Sequence, residues 1–169
     1  MLLETDIGPV IDEEARANLQ KHADTIVKEA KLLKKLPVPA ELSSGVFFPP
    51  HVFEISGIGQ LKREVFGPVL HVARWKADEL DKVCDAINAT GYGLTLGIHS
   101  RIDATAEFIR DRVHAGNVYV NRNQIGAVVG VQPFGGEGLS GTGPKAGGPH
   151  YLQRFSLERT YTVNTTAAG

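Results

Sequence analysis

Apolar residues at Ala15, Leu19, Ala23, Ile26 and Ala30 recur every three or four positions behind Asp12, a side chain suited to capping a helix. The spacing predicts a helix from Asp12 to about Leu36, stopped by Pro37 and Pro39, with Lys28, Lys31, Lys34 and Lys35 on its solvated face. Gly45 to Ile55 (GVFFPPHVFEI) reads as extended, and its Pro-Pro pair predicts an irregular or edge strand. Val69 to Trp75 (VLHVARW) alternates as a strand does. Ala77 to Asn88 then returns to helical spacing, with Leu80, Val83, Cys84 and Ile87 inward. Gly93 to His99 (GLTLGIH) predicts a second strand, Asp103 to His114 a second helix capped by Asp103, and Asn117 to Asn121 (NVYVN) a third strand. Strand, helix, strand, helix, strand is the order of right-handed parallel crossovers, so the expected class is α/β. Tyr151 to Asn164 (YLQRFSLERTYTVN) is again strand-like in its β-branched and aromatic content.

Between the third strand and that last segment, Asn121 to Pro149 follows no periodicity. It holds nine glycines and three prolines, an apolar run from Ile125 to Val131, and Phe134 between Pro133 and Gly135. Glycine loses the most backbone freedom on ordering and proline lacks a donor, so no long helix or strand fits here. A shaped loop that brings backbone amides close to a small molecule is the expected use of such a segment. It leaves the carboxyl end of a predicted parallel strand, which is the rim where open α/β sheets bind ligands.

Composition narrows the function classes. At 169 residues and 42% hydrophobic content the chain can build one packed domain, and a net charge of -1 makes no electrostatic case for nucleic acid or an anionic membrane. One cysteine excludes an internal disulfide and points to a reducing, cytoplasmic setting. No window approaches the roughly 20 apolar residues of a membrane helix, and the N-terminus has no signal-peptide pattern. The six histidines, at positions 22, 51, 71, 99, 114 and 150, show no metal-ligand spacing.

Two constellations carry candidate chemistry. Gly136-Glu-Gly138-Leu-Ser-Gly141 matches G-x-G-x-x-G, with Glu158 near the distance of a ribose-binding acid. The dinucleotide fingerprint needs a helix opening from the glycines, and Pro144 with Gly143, Gly147 and Gly148 forbids a long one, so tight turns are the better reading. In Leu61-Lys-Arg-Glu64-Val-Phe66-Gly67-Pro68-Val69, an acid and an aromatic two apart share one side of an extended segment. That pair can offer a carboxylate to vicinal hydroxyls and a ring to a flat heterocycle; spacing alone favours an exposed Glu64 beside a core Phe66.

EVFGPVL, the following αβ unit, GNVYVN and QPFGGEGLSGTG resemble the C-terminal part of the aldehyde dehydrogenase superfamily. TDIGPVIDEEAR, NRNQIGAVVGVQPFGG and GTGPKAGGPHYLQR are similar, within it, to the L-glutamate γ-semialdehyde (Δ1-pyrroline-5-carboxylate) dehydrogenase modules of bifunctional bacterial proline utilisation proteins. The resemblance covers essentially the whole chain after Met1. It implies a three-layer αβα fold with a mainly parallel sheet, residues 1–150 forming part of the catalytic domain and 151–169 a C-terminal strand of the oligomerisation region. It implies NAD as cofactor, L-glutamate γ-semialdehyde as substrate, a homo-oligomer, and a proline dehydrogenase domain in the same polypeptide.

Residue by residue, the resemblance makes Glu64 the acid that binds the nicotinamide ribose hydroxyls and Phe66 the ring beside the nicotinamide. Gly126 and Ala127 become the backbone anchor for the substrate's α-carboxylate, and Phe134 an aromatic of the aldehyde pocket. The family reaction needs a cysteine nucleophile that forms a thiohemiacetal, gives up hydride and leaves a thioester for water. Its general base and oxyanion donor, like the dinucleotide-binding domain, belong N-terminal to this chain, and Cys84 does not match the nucleophile's motif. The expectation is therefore a fragment that is inactive alone. The rival expectation is a non-catalytic module of the same family that acts by oligomerising or by covering a partner's site.

Overall fold

Asp12 caps α1 (Glu13–Ile26) as its position predicts: its carboxylate accepts from the Ala15 amide at 2.7 Å, and Glu13 and Glu14 add negative charge at the positive end of the helix dipole. The computed structural model describes residues 6–167. Leu19, Ala23 and Ile26 form the buried stripe of α1 and pack with Phe48, Phe53 and Ile55, with Val10, Leu61, Val65 and Val69 around them. The helix ends at Ile26, ten residues short of the expectation. Ala30 donates to the Ile26 carbonyl at 2.8 Å to close a turn, and Lys31–Lys35 forms β1. A neighbouring strand overrides the helical phase of Ala30 by offering the lysine-rich segment a ladder.

That neighbour is β2 (His51–Ile55), which pairs antiparallel with β1 and parallel with β3 (Val69–Ala73). The expectation of an edge strand fails for β2, which lies at the centre of the order β1-β2-β3. Pro49 and Pro50 precede the strand, so their missing donors fall outside its ladder, and the Pro50 carbonyl still accepts from Leu36 at 3.0 Å. His51, Phe53 and Ile55 alternate inward in β2. β1 takes the edge, and its five residues are all exposed; lysines there discourage pairing with another chain.

A 3-10 turn, Ala77–Glu79, leads into α2 (Leu80–Asn88), where Cys84 is buried and Leu80, Val83 and Ile87 are half-buried, as the periodicity predicts. The chain divides into two compact units, Met1–Ala86 and Ile87–Gly169, with the division inside α2.

In the second unit, β4 (Tyr92–Gly93) precedes β5 (Thr95–Ile98), which pairs parallel with β6 (Asn117–Val120) across the crossover helix α3 (Asp103–Arg112). Ile98, Ala106, Val113 and Tyr119 are its buried apolar residues. Ile102, not Asp103, takes the capping position of α3, and the donor at that end is met by Ser100, whose Oγ accepts from the Ile102 amide at 3.0 Å. Asp103 instead supplies the acidic first turn, and Arg110 and Arg112 the basic last one. The C-terminal segment departs from its strand-like composition. Tyr151–Phe155 is a 3-10 turn, and 156–164 has no ladder partner among the described residues. A strand exists only where a second strand satisfies its backbone, whatever its side chains favour. Residues 168 and 169 of that segment lie outside the described residues.

Candidate functional site

Glu64 and Phe66 follow an irregular segment just ahead of β3 and line one wall of a 270 Å³ cleft, whose other wall is α1 through Ala15, Asn18, Leu19 and His22. Phe66 is 87% exposed, which overturns the bland reading of a core aromatic. A bare ring and an exposed carboxylate on the same wall suit a ligand that brings a flat ring and hydroxyl groups. The glycine next along the chain, Gly67, is followed by Pro68, and the Val69 amide of β3 donates back to the Gly67 carbonyl at 2.8 Å, fixing the approach of this wall to the sheet.

His22, on the α1 wall of the cleft, makes a contact that the histidine spacing did not reveal. His22 Nε2 of α1 and His71 Nε2 of β3 lie 2.9 Å apart, their rings edge-on at 78°. One ring must donate while the other accepts, so the pair cannot be doubly protonated and keep this bond. Burial lowers the pKa of His22, reinforced by the Arg63 guanidinium; burial also lowers that of His71, reinforced by His22. Both rings titrate below the ordinary imidazole value of about 6.5. The unfolded chain therefore binds protons first as the pH falls, so the stability held above pH ~6.5 is lost progressively below it, until the native rings titrate as well. Urea midpoints measured between pH 7 and 5 should fall with pH, and His22→Gln should flatten that slope. An unchanged slope in His22→Gln would rule the pair out as its source.

The glycine loop leaves β6 at Asn121, a residue at φ 55° whose Oδ1 accepts from the Ser100 amide at 3.0 Å and whose Nδ2 donates to the Ser100 carbonyl at 2.9 Å. These bonds tie the carboxyl ends of β5 and β6 together where the loop begins. Gly126 turns the chain at φ 65°, a conformation that a side chain would strain. Its carbonyl accepts from the Tyr119 hydroxyl at 3.1 Å, and the Val128 amide donates to Gln132 Oε1 at 3.0 Å. Among the described residues, the amides of Gly126 and Ala127 between these two ties donate to no protein acceptor. Successive amides left open in a turn are a receptor for an anion that adds no charge of its own. Gly126 is exposed and Ala127 half-buried.

Phe134 lies at the far end of the loop in a two-residue bridge with Ala146, each amide donating to the other's carbonyl at 3.0 and 2.9 Å. Asn117, buried in β6, secures that end: its Nδ2 donates to the Pro133 carbonyl at 3.0 Å and its Oδ1 accepts from the Gly135 amide at 3.2 Å. Glu137 and Gly138 form β7 against β4, with Gly138 at φ 58° and too near the Gly91 carbonyl for any side chain. No helix opens from the G-x-G-x-x-G run, whose glycines serve turns and close backbone approach, as read from the sequence. Glu64 and Phe66 thus share the cleft of the first unit, while Gly126, Ala127 and Phe134 share the loop of the second.

The chain matches the family model "Aldehyde dehydrogenase family" over residues 2–161. It is 52% identical over 155 residues to the bifunctional protein PutA of Rhizobium meliloti, an alignment covering 92% of this chain and 13% of that protein. The crystal structure of a variant of Bradyrhizobium japonicum proline utilization A superposes with a TM-score of 0.89 at 60% identity, covering 97% of this chain and 16% of that one. A 1-pyrroline-5-carboxylate dehydrogenase from Thermus, solved with bound NAD, gives 0.77 at 38% identity, covering 89% of this chain and 29% of that one. The chain therefore spans less than a third of the length of each of these proteins.

Proposed function

The chain belongs to the aldehyde dehydrogenase family, and from that membership we propose that it is the substrate-anchoring part of an NAD-dependent L-glutamate γ-semialdehyde dehydrogenase. The reaction is oxidation of the semialdehyde to glutamate, the second step of proline catabolism. The observation that carries the substrate assignment is the open amide pair at Gly126 and Ala127, in a loop bound at both ends to β6. An α-carboxylate fits that receptor, and Phe134 lines the path of the aldehyde-bearing chain.

On the cofactor side, Glu64 accepts from the ribose hydroxyls and Phe66 lies beside the nicotinamide. NAD, when bound, supplies the hydride acceptor. The exposed ring and carboxylate on one cleft wall fit it, and the solved Thermus relative holds NAD. No thiol of this chain is placed to act as nucleophile, because its one cysteine, Cys84, is buried in α2. Residues 1–150 are assigned to the catalytic domain and 151–169 to subunit association, in a cytoplasmic homo-oligomer. The PutA likeness favours a proline dehydrogenase domain in the same polypeptide.

Full-length protein supplied with NAD and pyrroline-5-carboxylate should form NADH and glutamate, and the purified 169-residue chain should form neither. Failure of the full-length protein to turn over that substrate, or turnover by the chain alone, would overturn the reading.

A further inference from the structure

Tyr119 of β6, Arg122 at the start of the loop and Gln132 further along it are linked to the amide turn, and none of them is among the ligand contacts assigned above. Tyr119 is buried in β6, and its hydroxyl both donates to the Gly126 carbonyl and accepts from Asn117 Nδ2 at 3.2 Å. The Arg122 guanidinium lies over the Tyr119 ring at 4.4 Å and donates through Nη1 to Gln132 Oε1 at 3.2 Å. That same oxygen accepts from the Val128 amide. The Gly126 carbonyl is therefore held from one side and the Val128 amide from the other, with the Gly126 and Ala127 amides between the two ties.

We propose that Tyr119 and Arg122 are positioning residues that hold the Gly126–Ala127 amides in their carboxylate-receiving turn, and that Arg122 also biases this turn toward anionic substrates. The bias follows from charge. Arg122 has no carboxylate partner among the described residues, its hydrogen bonds going to the Asn123 carbonyl and to Gln132. A cation held by neutral groups keeps its field for whatever anion arrives nearby. Preorganisation follows from the ties themselves, since a glycine turn left loose must lose backbone freedom when the ligand binds. The inference rests on the carboxylate-anchor reading of the loop.

The test uses the full-length enzyme, with L-glutamate γ-semialdehyde and neutral propanal as alternative substrates. Tyr119→Phe removes one hydroxyl and should raise KM for the semialdehyde about tenfold, the size of one lost hydrogen bond of the stronger sort. Arg122→Gln should do the same, and Arg122→Lys, which keeps the charge but loses the planar fork, should fall between it and the parent. In all three, kcat, KM for NAD and KM for propanal should stay within about twofold.

A variant that raises KM for both aldehydes alike acts through general loop damage, and that outcome overturns the proposal; so does an unchanged semialdehyde KM. Arg122 is at the half-buried margin of the loop, so its variants keep the test decisive if Tyr119→Phe does not fold. Ala127→Leu, run beside them, separates the two levels. If it raises the semialdehyde KM while Tyr119→Phe and Arg122→Gln do not, the positioning role alone is lost. If it too has no effect, the loop is not the carboxylate anchor and the underlying reading fails.

Discussion

In the full-length enzyme, Ala127→Leu should raise KM for the proposed substrate, L-glutamate γ-semialdehyde, roughly thirtyfold and leave KM for NAD almost unchanged. The effect comes from the immobility of the loop. Ala127 is half-buried between a left-handed Gly126, whose carbonyl is tied to Tyr119, and Val128, whose amide is tied to Gln132. A backbone held on both sides cannot swing away from an isobutyl group, so the added atoms would occupy the volume that the proposed carboxylate ligand needs. Forcing three extra carbons into a fitted site costs typically 1–3 kcal/mol, and the middle of that range, about 2 kcal/mol, corresponds to the stated factor. Only substrate binding carries the penalty, so steady-state kinetics with each substrate varied in turn is the measurement. Equal rises in both Michaelis constants would mean that the loop serves the fold rather than the substrate.

Elements whose cause is local were legible in the sequence. Asp12 caps α1 because its own side chain reaches the Ala15 amide, and His51, Phe53 and Ile55 alternate because a pleated backbone alternates. Two of the elements misread from the sequence were decided by a distant partner. Ala30 sits in phase with α1, yet Lys31–Lys35 becomes a strand because β2 offers it a ladder; Leu157, Tyr161 and Val163 look like strand residues but have no ladder partner among the described residues.

The candidate site divides in the same way. The glycine content of Asn121 to Pro149 announces a shaped loop, and Pro144 with its neighbouring glycines exposes the false dinucleotide motif. What shapes the loop was less visible. Asn117 and Tyr119 are two apart in a predicted strand, so their shared inward face was readable, but the Pro133 and Gly126 carbonyls they bind lie 16 and 7 residues away. His22 and His71 are 49 residues apart, and only the packing of α1 on the sheet brings them together.

Glu64→Ala should give the opposite kinetic signature to Ala127→Leu: turnover falls between tenfold and a hundredfold, while KM for the semialdehyde stays within about twofold. The Glu64 carboxylate is exposed on the cleft wall, so removing it leaves no buried partner stranded and no cavity; the stability of the protein should not change. On the cofactor role proposed for it, what is lost is a charge-assisted hydrogen bond to the ribose hydroxyls, worth about 1.5–3 kcal/mol, and with it the orientation of the nicotinamide beside Phe66. A bound but misdirected ring accepts hydride slowly, because orientation enters the rate directly. Glu64→Gln retains one acceptor oxygen without the charge and should lie between parent and Ala. Pre-steady-state NADH formation isolates this step from product release, and it should slow in the order Glu, Gln, Ala. The cofactor and substrate roles assigned to the cleft and the loop would collapse into one if Glu64→Ala raised the semialdehyde KM as Ala127→Leu does.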